Sequence, residues 1–202
     1  MILPIVAYGS PVLRKKAEDI TPDYPGLKQL IDDMFETMYQ AHGVGLAAPQ
    51  INKPIRLFIV DCAPFADGED DDEESEAYGH NDPELANFKK IFINPVIIQE
   101  TGTEWGFTEG CLSIPEIREE VKRKPDIVIE YLDENFEPQR GEYKGFAARV
   151  IQHEYDHIEG VLFTDKINPL KRSLLRGKLS DITNGRIDVS YKMKFPVQKA
   201  RR

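Results

Sequence analysis

Apolar residues recur at helical spacing in one segment near the N-terminus, PGLKQLIDDMFETMYQAHG (residues 25–43). Apolar side chains three or four positions apart share one face of a helix. That face consists of Leu27, Leu30, Ile31, Met34, Phe35 and Met38. The pattern therefore predicts an amphipathic helix, and Gly43 stands where it can end the helix.

Alternating apolar residues and β-formers predict strands over much of the remaining chain. The predicted strands are PIRLFIVDC, KIFINPVII, GTEWGFTEG, IREEVKRK, DIVIEYLD and PQRGEYKG, with DENFE as a hairpin connection between the last two. A second helix is expected to begin near Gly145, and a third within LKRSLLRGKL. Many strands around one central helix, without a regular βαβ alternation, indicate an α+β fold.

Length and composition are those of an ordinary globular protein. The 202 residues suffice for one domain with a substantial core, and 41% of them are hydrophobic and 30% charged. No apolar run approaches the ~20 residues that cross a bilayer, and the N-terminus does not resemble a signal or transit peptide. Two cysteines are too few for a disulfide framework. We therefore expect a cytoplasmic protein without a membrane partner, and a monomer is favoured.

The net charge of −9 is distributed unevenly along the chain. Residues 166–202 contain 11 Lys and Arg against two Asp, so this segment carries +9 and the rest carries −18. Residues 63–87 contain ten acids and no Lys or Arg, which predicts a solvated loop inserted into the domain. The acidic body argues against general nucleic-acid binding, whereas the basic tail could dock on an anionic partner.

The segment IQHEYDHIEGVLF (residues 151–163) contains the pattern H-E-x-x-H. His153 and His157 are four residues apart and share one face of a helix, so that both can bind one metal ion. Glu154 supplies the carboxylate that handles water at such a site. Two buried histidines on an amphipathic helix would be the structural alternative, but the intervening glutamate favours metal binding.

A third metal ligand is needed, and the residues after His157 offer few candidates. Metzincins place a histidine six residues later, where this chain has Phe163. Other zincins use a downstream glutamate, and none follows Glu159. The downstream aspartates Asp165, Asp181 and Asp188 stay open as alternatives.

The upstream candidates favour Cys111. His80 lies in the acidic loop, and His42 adjoins a helix end, where it can simply complement the helix dipole. Cys62 ends an apolar strand, where a small buried thiol is expected. Cys111 follows a strand and a glycine in TEGCLSIP, and its thiolate is a strong ligand for a borderline-soft divalent ion.

Three blocks together resemble the signature segments of peptide deformylases. They are GVGLAAPQ (residues 43–50), EGCLSIP (residues 109–115) and QHEYDH (residues 152–157), in the same order as in that family. The resemblance implies removal of the formyl group from the N-terminal methionine of new polypeptides, by a fold of antiparallel sheets around a central metal-binding helix. It covers most of residues 2–168. We therefore expect a catalytic domain over residues 1–168, including the acidic insertion, and a basic C-terminal helix and tail over 169–202.

The resemblance also implies the metal site. Cys111, His153 and His157 would hold the ion and leave one coordination position open, as catalytic sites require. Two imidazoles and a thiolate accept iron, zinc, cobalt or nickel, so the ligands alone do not select the metal. The family uses ferrous iron in cells, and Fe(II) is therefore expected, with Zn(II), Ni(II) or Co(II) as substitutes.

The remaining catalytic roles rest on the resemblance as well. Glu154 is expected to take the proton of the attacking water and to pass it to the departing amine. The side chain of Gln50 and the backbone N–H of Leu112 are expected to stabilise the oxyanion of the tetrahedral intermediate.

Substrate recognition is expected to use the peptide backbone, because the enzyme meets many sequences behind one methionine. Val44 and Gly110 would bind an extended peptide by strand addition, and Gly45 would allow its close approach. Phe107, Val150 and the aliphatic stem of Arg149 are predicted to line the methionine pocket. Arg118 is predicted either to help close that pocket or to pair with Glu109.

Two other functions compete with this interpretation. The H-E-x-x-H pattern alone would indicate a zinc peptidase that cleaves internal peptide bonds. A non-enzymatic module with a structural metal, docked on the ribosome through the basic tail, belongs to a different class. Glu154 separates the two classes, because a closed structural site normally takes four protein ligands and needs no base.

Overall fold

A computed structural model describes residues 1–65 and 83–196. The helices are α1 (Leu27–Gln40), α2 (Gly145–Ile158), α3 (Pro169–Leu174) and α4 (Arg176–Thr183). The strands are β1 (Ile5–Val6), β2 (Gly45–Ala47), β3 (Leu57–Asp61), β4 (Lys89–Thr101), β5 (Trp105–Cys111), β6 (Ile114–Arg123), β7 (Asp126–Leu132), β8 (Pro138–Lys144) and β9 (Met193–Lys194). Most of the predicted acidic loop and the last six residues of the basic tail lie outside the described residues.

The strands form one large antiparallel sheet and two smaller pairs. The large sheet has the order β2-β3-β4-β7-β8, and β5 pairs with β6 in an antiparallel hairpin. Strands β1 and β9, from opposite ends of the chain, form a short parallel pair. The six segments predicted as strands correspond to β3 to β8, and DENFE connects β7 to β8 as predicted.

Helix α1 buries the predicted apolar stripe. Of its six members, all except the half-buried Leu30 are buried, and they pack in one core cluster. The helix ends at Gln40. His42, and not Gly43, adopts the left-handed conformation (φ 56°). The Gly43 N–H then donates a 2.9 Å hydrogen bond to the Met38 carbonyl and closes the helix end.

Helix α2 lies at the centre of the molecule and packs against β2, β3 and β8. It is almost entirely buried, because Ala148, Ile151 and Ile158 are enclosed in a core that also contains the stacked rings of Phe58 and Phe92. The prediction of an α+β fold with antiparallel sheets around a central helix is therefore confirmed. No helix within residues 1–65 and 83–196 has the length and apolar character needed to span a membrane.

The chain after α2 is partly built into the body of the protein. The segment predicted as one third helix contains two, α3 and the first part of α4. Leu179 and Ile182 of α4 are buried in a cluster with Val6 and Ile114. Pairing of β9 with β1 fastens the chain beyond α4 to the N-terminal segment.

Candidate metal centre and active site

The two histidines of the H-E-x-x-H pattern lie one turn apart on α2. The ring centroids of His153 and His157 are 5.1 Å apart, and both side chains are buried. Residues four apart share a helix face, so the local sequence alone brings these rings together. Burial of the neighbouring Ala148 and Ile151 in the core then orients that face inward.

Cys111 reaches the histidines from a distant turn. It ends β5 and pairs with Ile114, so that Leu112 and Ser113 form a two-residue turn to β6. The turn places the Cys111 Sγ 3.3 Å from the Nε2 of His157. The described residues contain one cluster in which three metal-ligating side chains meet: ligand atoms of Cys111, His153 and His157 all lie within 4.8 Å of one another.

Glu109 orients one of these histidines. Its Oε2 lies 3.0 Å from the Nδ1 of His153. The same carboxylate accepts two hydrogen bonds from Arg123, at 2.7 and 2.9 Å, and one of 3.0 Å from Arg149. Glu109 therefore pairs with Arg123 and Arg149 rather than with Arg118. A carboxylate at Nδ1 fixes the ring so that Nε2 faces the ligand cluster.

Glu154 is buried between α2 and β2. A Cβ added at Gly45 would lie 2.7 Å from the Cγ of Glu154, so that only glycine leaves room for this carboxylate. The Oε2 of Glu154 and the Nδ1 of His157 are buried, and neither has a hydrogen-bond partner among the described residues. Buried polar atoms normally have partners, so the Glu154 oxygen indicates that the site accommodates a further group such as water. The donor types, two imidazoles and a thiol, fit a divalent transition metal.

Gln50 belongs to the same site. It lies in a short 3-10 helix, Ala48–Ile51, and its Oε1 accepts a 2.8 Å hydrogen bond from the Ala47 N–H. This bond turns the side-chain amide nitrogen toward the β5–β6 turn, where Nε2 lies 3.6 Å from Cys111 Sγ and 3.4 Å from Ser113 Oγ. Gln50 thus lies within reach of the Cys111 thiol, and Leu112 follows Cys111 in the chain.

The residues predicted to bind the substrate backbone lie on two strands with open sheet positions. Gly45 is in β2, an edge strand of the large sheet, and Val44 precedes it. Gly110 is in β5, which pairs only with β6 among the described strands. The Cγ of Arg118 lies 3.4 Å from the position of a Cβ on Gly110, so Arg118 runs beside this strand.

The residues predicted to line an apolar pocket surround a buried arginine. Arg149 is only 2% exposed, and its guanidinium lies 4.5 Å from the ring centroid of Trp105 and 5.5 Å from that of Phe107. Arg149 also donates to the carbonyls of Trp105 and Val121. Val150 is buried and packs in the same cluster as Phe107. Both terminal nitrogens of the Arg149 guanidinium are therefore bound by protein groups.

The fold and site geometry agree with comparisons to known proteins. The family model described as polypeptide deformylase matches residues 2–173. A peptide deformylase from Christiangramia forsetii is 59% identical over 202 residues and covers 100% of both chains. The chain belongs to the peptide deformylase family.

Further relatives and solved structures support this membership. A peptide deformylase from Flavobacterium johnsoniae is 56% identical over 201 residues, which is 98% of each chain. The crystal structure of peptide deformylase from Thermus thermophilus has a TM-score of 0.74 and 40% identity, covering 90% of this chain and 98% of that one. A peptide deformylase structure from Legionella pneumophila has a TM-score of 0.74 and 35% identity, with 92% and 98% covered.

Membership in the peptide deformylase family establishes the reaction. The protein is a metal-dependent hydrolase of protein biosynthesis that removes the formyl group from the N-terminal methionine of nascent peptides. The predicted family and activity are confirmed. The competing interpretations, a zinc peptidase and a non-enzymatic ribosome-docking module, are not supported.

The electrostatics of the deformylase site follow from burial and from one charge network. Burial raises the pKa of Glu154 to about 7, although the neighbouring His153 opposes the shift. Burial also lowers the pKa of His157, which favours its neutral, metal-binding form. Burial opposes ionisation of Glu109, but hydrogen bonds from Arg123 and His153 outweigh it and hold the pKa of Glu109 well below its usual range.

The sequence pattern does not reveal the role of Arg123 beside the deformylase site. Arg123 bridges Glu109 and Asp156, with 2.6 Å from its Nη1 to the Asp156 carboxylate. The sequence signal for this network is weak, because IREEVKRK reads as an ordinary polar strand. Only the position of Glu109 two residues before Cys111 could have suggested that it supports a ligand.

Proposed function

We propose that Cys111, His153 and His157 bind the catalytic divalent cation of this deformylase. The single observation that carries the proposal is the approach of their ligand atoms to within 4.8 Å of one another. When bound, such a cation lowers the pKa of water and polarises the formyl carbonyl. Glu109, which lies 3.0 Å from the Nδ1 of His153, would hold that ring with its Nε2 toward the cation.

Glu154 serves as the proton carrier of the reaction in this proposal. It accepts a proton from the water that attacks the formyl carbon, and it delivers the proton to the amine nitrogen as the C–N bond breaks. Formate and a free N-terminal amine are the products. Burial against β2 supports this role, since a raised pKa lets a carboxyl group both accept and donate a proton near neutral pH.

Gln50 and Leu112 stabilise the oxyanion that develops on the formyl oxygen. The Nε2 of Gln50 lies 3.6 Å from Cys111 Sγ, and Leu112 follows Cys111 directly, so both donors adjoin the ligand cluster. The hydrogen bond from Ala47 holds the Gln50 amide in place before the substrate arrives. Preorganised donors of this kind are each worth about 2.7–4 kcal/mol of barrier.

The nascent peptide binds in extended form beside Val44 and Gly45 on one side and Gly110 on the other. Strand addition gives affinity through main-chain hydrogen bonds and is therefore tolerant of sequence. The edge position of β2 and the two-stranded sheet of β5 support this geometry. Arg118, which runs beside Gly110, would cover the bound peptide.

The methionine side chain enters a pocket formed by Phe107, Val150 and the stem of Arg149. The Arg149 guanidinium lies 4.5 Å and 5.5 Å from the ring centroids of Trp105 and Phe107 and donates to Glu109 and to two backbone carbonyls, which supports the assignment because its charge is already bound within the protein. Methionine is itself flexible and polarizable and packs well against aromatic rings.

Formate release from formyl-Met-Ala-Ser tests the proposal. The protein should release formate from this peptide and leave acetyl-Met-Ala-Ser intact, and Cys111→Ala should abolish both metal binding and turnover. Cys62→Ala is the matched control, because Cys62 is a free, buried thiol outside the ligand cluster. Full activity of Cys111→Ala would contradict the proposed ligand set.

The proposed metal is Fe(II), with Zn(II), Ni(II) or Co(II) as substitutes. A site of two imidazoles and one thiolate accepts all four ions. With iron bound, both the iron and Cys111 can be oxidised. Anaerobic purification followed by metal analysis and exchange tests the choice. Full activity with zinc and none with iron would rule out Fe(II).

We also propose that residues 169–202 are a basic extension of the catalytic domain, which spans residues 1–168. In this proposal the extension contacts the ribosome, and the protein acts as a cytoplasmic monomer. Leu170 and Leu174 of α3 are 71% and 77% exposed beside Lys171 and Arg172, which gives the extension an apolar and basic surface. Such charge steers association with an anionic partner.

Leu170→Ser/Leu174→Ser should weaken co-sedimentation with ribosomes while formate release from the free peptide is retained. Unchanged co-sedimentation at low salt would contradict the contact.

A further inference from the structure

Tyr191 brings the C-terminal part of the chain to the edge of the active site. It lies two residues before β9, and its hydroxyl donates a 2.8 Å hydrogen bond to the carbonyl of Leu112. Tyr191 and Leu112 both pack against the core cluster that contains α1. Tyr191 lies beyond residue 173, where the match to the family model ends.

The segments that contain Tyr191 and Tyr8 are hydrogen-bonded to each other and to the β5–β6 turn. The N–H of Ile5 donates to the carbonyl of Lys192, the residue after Tyr191, at 2.9 Å. The same N-terminal segment continues to Tyr8, whose N–H donates to the carbonyl of Ser113 at 2.8 Å. Both carbonyls of the Leu112–Ser113 turn are therefore bound by the paired N- and C-terminal segments.

We propose that Tyr191 is a positioning residue for deformylation, which holds the β5–β6 turn so that the N–H of Leu112 keeps its direction toward the oxyanion. The inference rests on the proposed role of the Leu112 N–H. A two-residue turn has soft dihedral angles, and a hydrogen bond to the Leu112 carbonyl restricts rotation about the Leu112 backbone. Oxyanion donors are effective only when they are oriented before the charge develops.

A purely structural role is the alternative. Buried carbonyl groups are normally hydrogen-bonded, so the Tyr191 hydroxyl could simply satisfy one acceptor and stabilise the fold. The two roles differ in what they change. A structural bond affects unfolding alone, whereas a positioning bond affects kcat at temperatures where the protein is folded, without affecting KM.

Tyr191→Phe removes the hydroxyl and keeps the ring. Tyr143→Phe is the matched control, because Tyr143 is also half-buried and its hydroxyl bonds to that of Tyr131 at 3.0 Å. We expect a roughly fivefold fall in kcat for Y191F, the equivalent of one neutral hydrogen bond, with KM unchanged. Y143F should keep the parent kcat. An unchanged kcat in Y191F, or equal losses in both variants, would overturn the inference.

Amide hydrogen exchange adds a measurement that does not depend on turnover. In the metal-loaded protein, exchange at Tyr8, whose N–H donates to the Ser113 carbonyl, should be faster in Y191F than in the parent and in Y143F. Unchanged exchange at Tyr8 would show that Tyr191 does not restrain the turn, and the inference would fail. Because exchange is read residue by residue, it also separates loosening of the turn from general destabilisation.

Replacing Leu112 by its hydroxy-acid analogue removes the N–H and tests the proposed role of Leu112 separately from that of Tyr191. If this backbone ester has the parent kcat, the proposed oxyanion role of Leu112 fails. If the ester lowers kcat and Y191F does not, only the inference about Tyr191 fails. If both lower kcat, Y191F should have no further effect in the ester background, because the group that it positions is already missing.

Discussion

At the scale of single residues, Glu154 shows how packing prepares a side chain for chemistry. Its carboxylate lies beside β2, where Gly45 leaves the space that it occupies. Burial raises its pKa to about 7, and its Oε2 has no partner among the described residues. A carboxyl group that is buried without a protein partner is costly for stability. The proposed role in proton transfer accounts for its presence here.

Glu154→Gln should retain the metal and lose turnover. The substitution keeps the size of the side chain and removes its ability to accept a proton, so kcat should fall by about 10²–10⁴-fold. Metal content and formate release from formyl-Met-Ala-Ser measure the two effects. Glu142→Gln, at an exposed position of β8, is the control and should behave as the parent. A fully active Glu154→Gln would remove this residue from the mechanism.

Gly45→Ala should impair the reaction by displacing Glu154. The added methyl group would lie 2.7 Å from the Glu154 Cγ, closer than carbon atoms approach without a shift. We expect a lower kcat with the metal content retained, because the ligands themselves are not touched. Gly177→Ala is the matched control, since a Cβ there has no neighbour within 4 Å. Equal kcat values for the two variants would contradict the close contact.

At the scale of secondary-structure elements, one ion network connects β5, β6 and α2. Arg123 of β6 binds Glu109 of β5 and Asp156 of α2, and Glu109 in turn reaches His153. All these groups are largely buried, so their pairing is needed to offset the cost of removing the charges from water. The network also fixes the distance between the hairpin that carries Cys111 and the helix that carries the histidines.

Arg123→Met should destabilise the protein strongly. It removes the partner of a buried carboxylate, and an uncompensated buried charge costs about 3–5 kcal/mol. Urea unfolding measures the loss. Arg140→Met breaks the exposed pair with Glu130 and should cost at most about 1 kcal/mol. Similar free energies of unfolding for the two variants would mean that the buried network is not a stabilising element.

At the scale of the whole molecule, the paired segments around β1 and β9 bind the β5–β6 turn beside the site. Parallel pairing of β1 with β9 and burial of α4 join the chain beyond residue 173 to the catalytic body. Strand β2 packs against α2, and the β5–β6 hairpin is joined to α2 through Arg123 and Glu109. The proposed metal ligands come from two separate elements, so metal binding should depend on the complete fold.

Removal of the metal should lower the melting temperature of the whole protein. A ligand that binds only the folded state stabilises it by about 2.7 kcal/mol at 100 times its Kd. For a chain of this size that corresponds to roughly 5–10 °C. Calorimetry before and after chelation measures the shift, and re-addition of metal should reverse it. Cys111→Ala, which lacks one ligand, should show a much smaller response, and an equal shift in this variant would contradict the ligand set.

Much of the local structure was predictable because it depends on short-range periodicity. The stripe of α1, the strands from β3 to β8 and the shared helix face of His153 and His157 all follow from side-chain spacing of 3.6 or 2 residues. The end of α1 was less predictable. His42 takes the left-handed conformation that glycine would favour, since the hydrogen bond from Gly43 to Met38 determines which residue turns the chain.

The amino-acid sequence by itself determined the helix that carries the histidines, the strand pattern and, through three signature blocks, the deformylase family. Only the tertiary structure decided that Glu109 pairs with Arg123 and Arg149, that Gly45 adjoins Glu154, and that Tyr191 binds Leu112. Helix and strand periodicity is a property of neighbouring residues. Contacts between distant residues depend instead on sheet register, on the β5–β6 turn and on how the two chain ends pair.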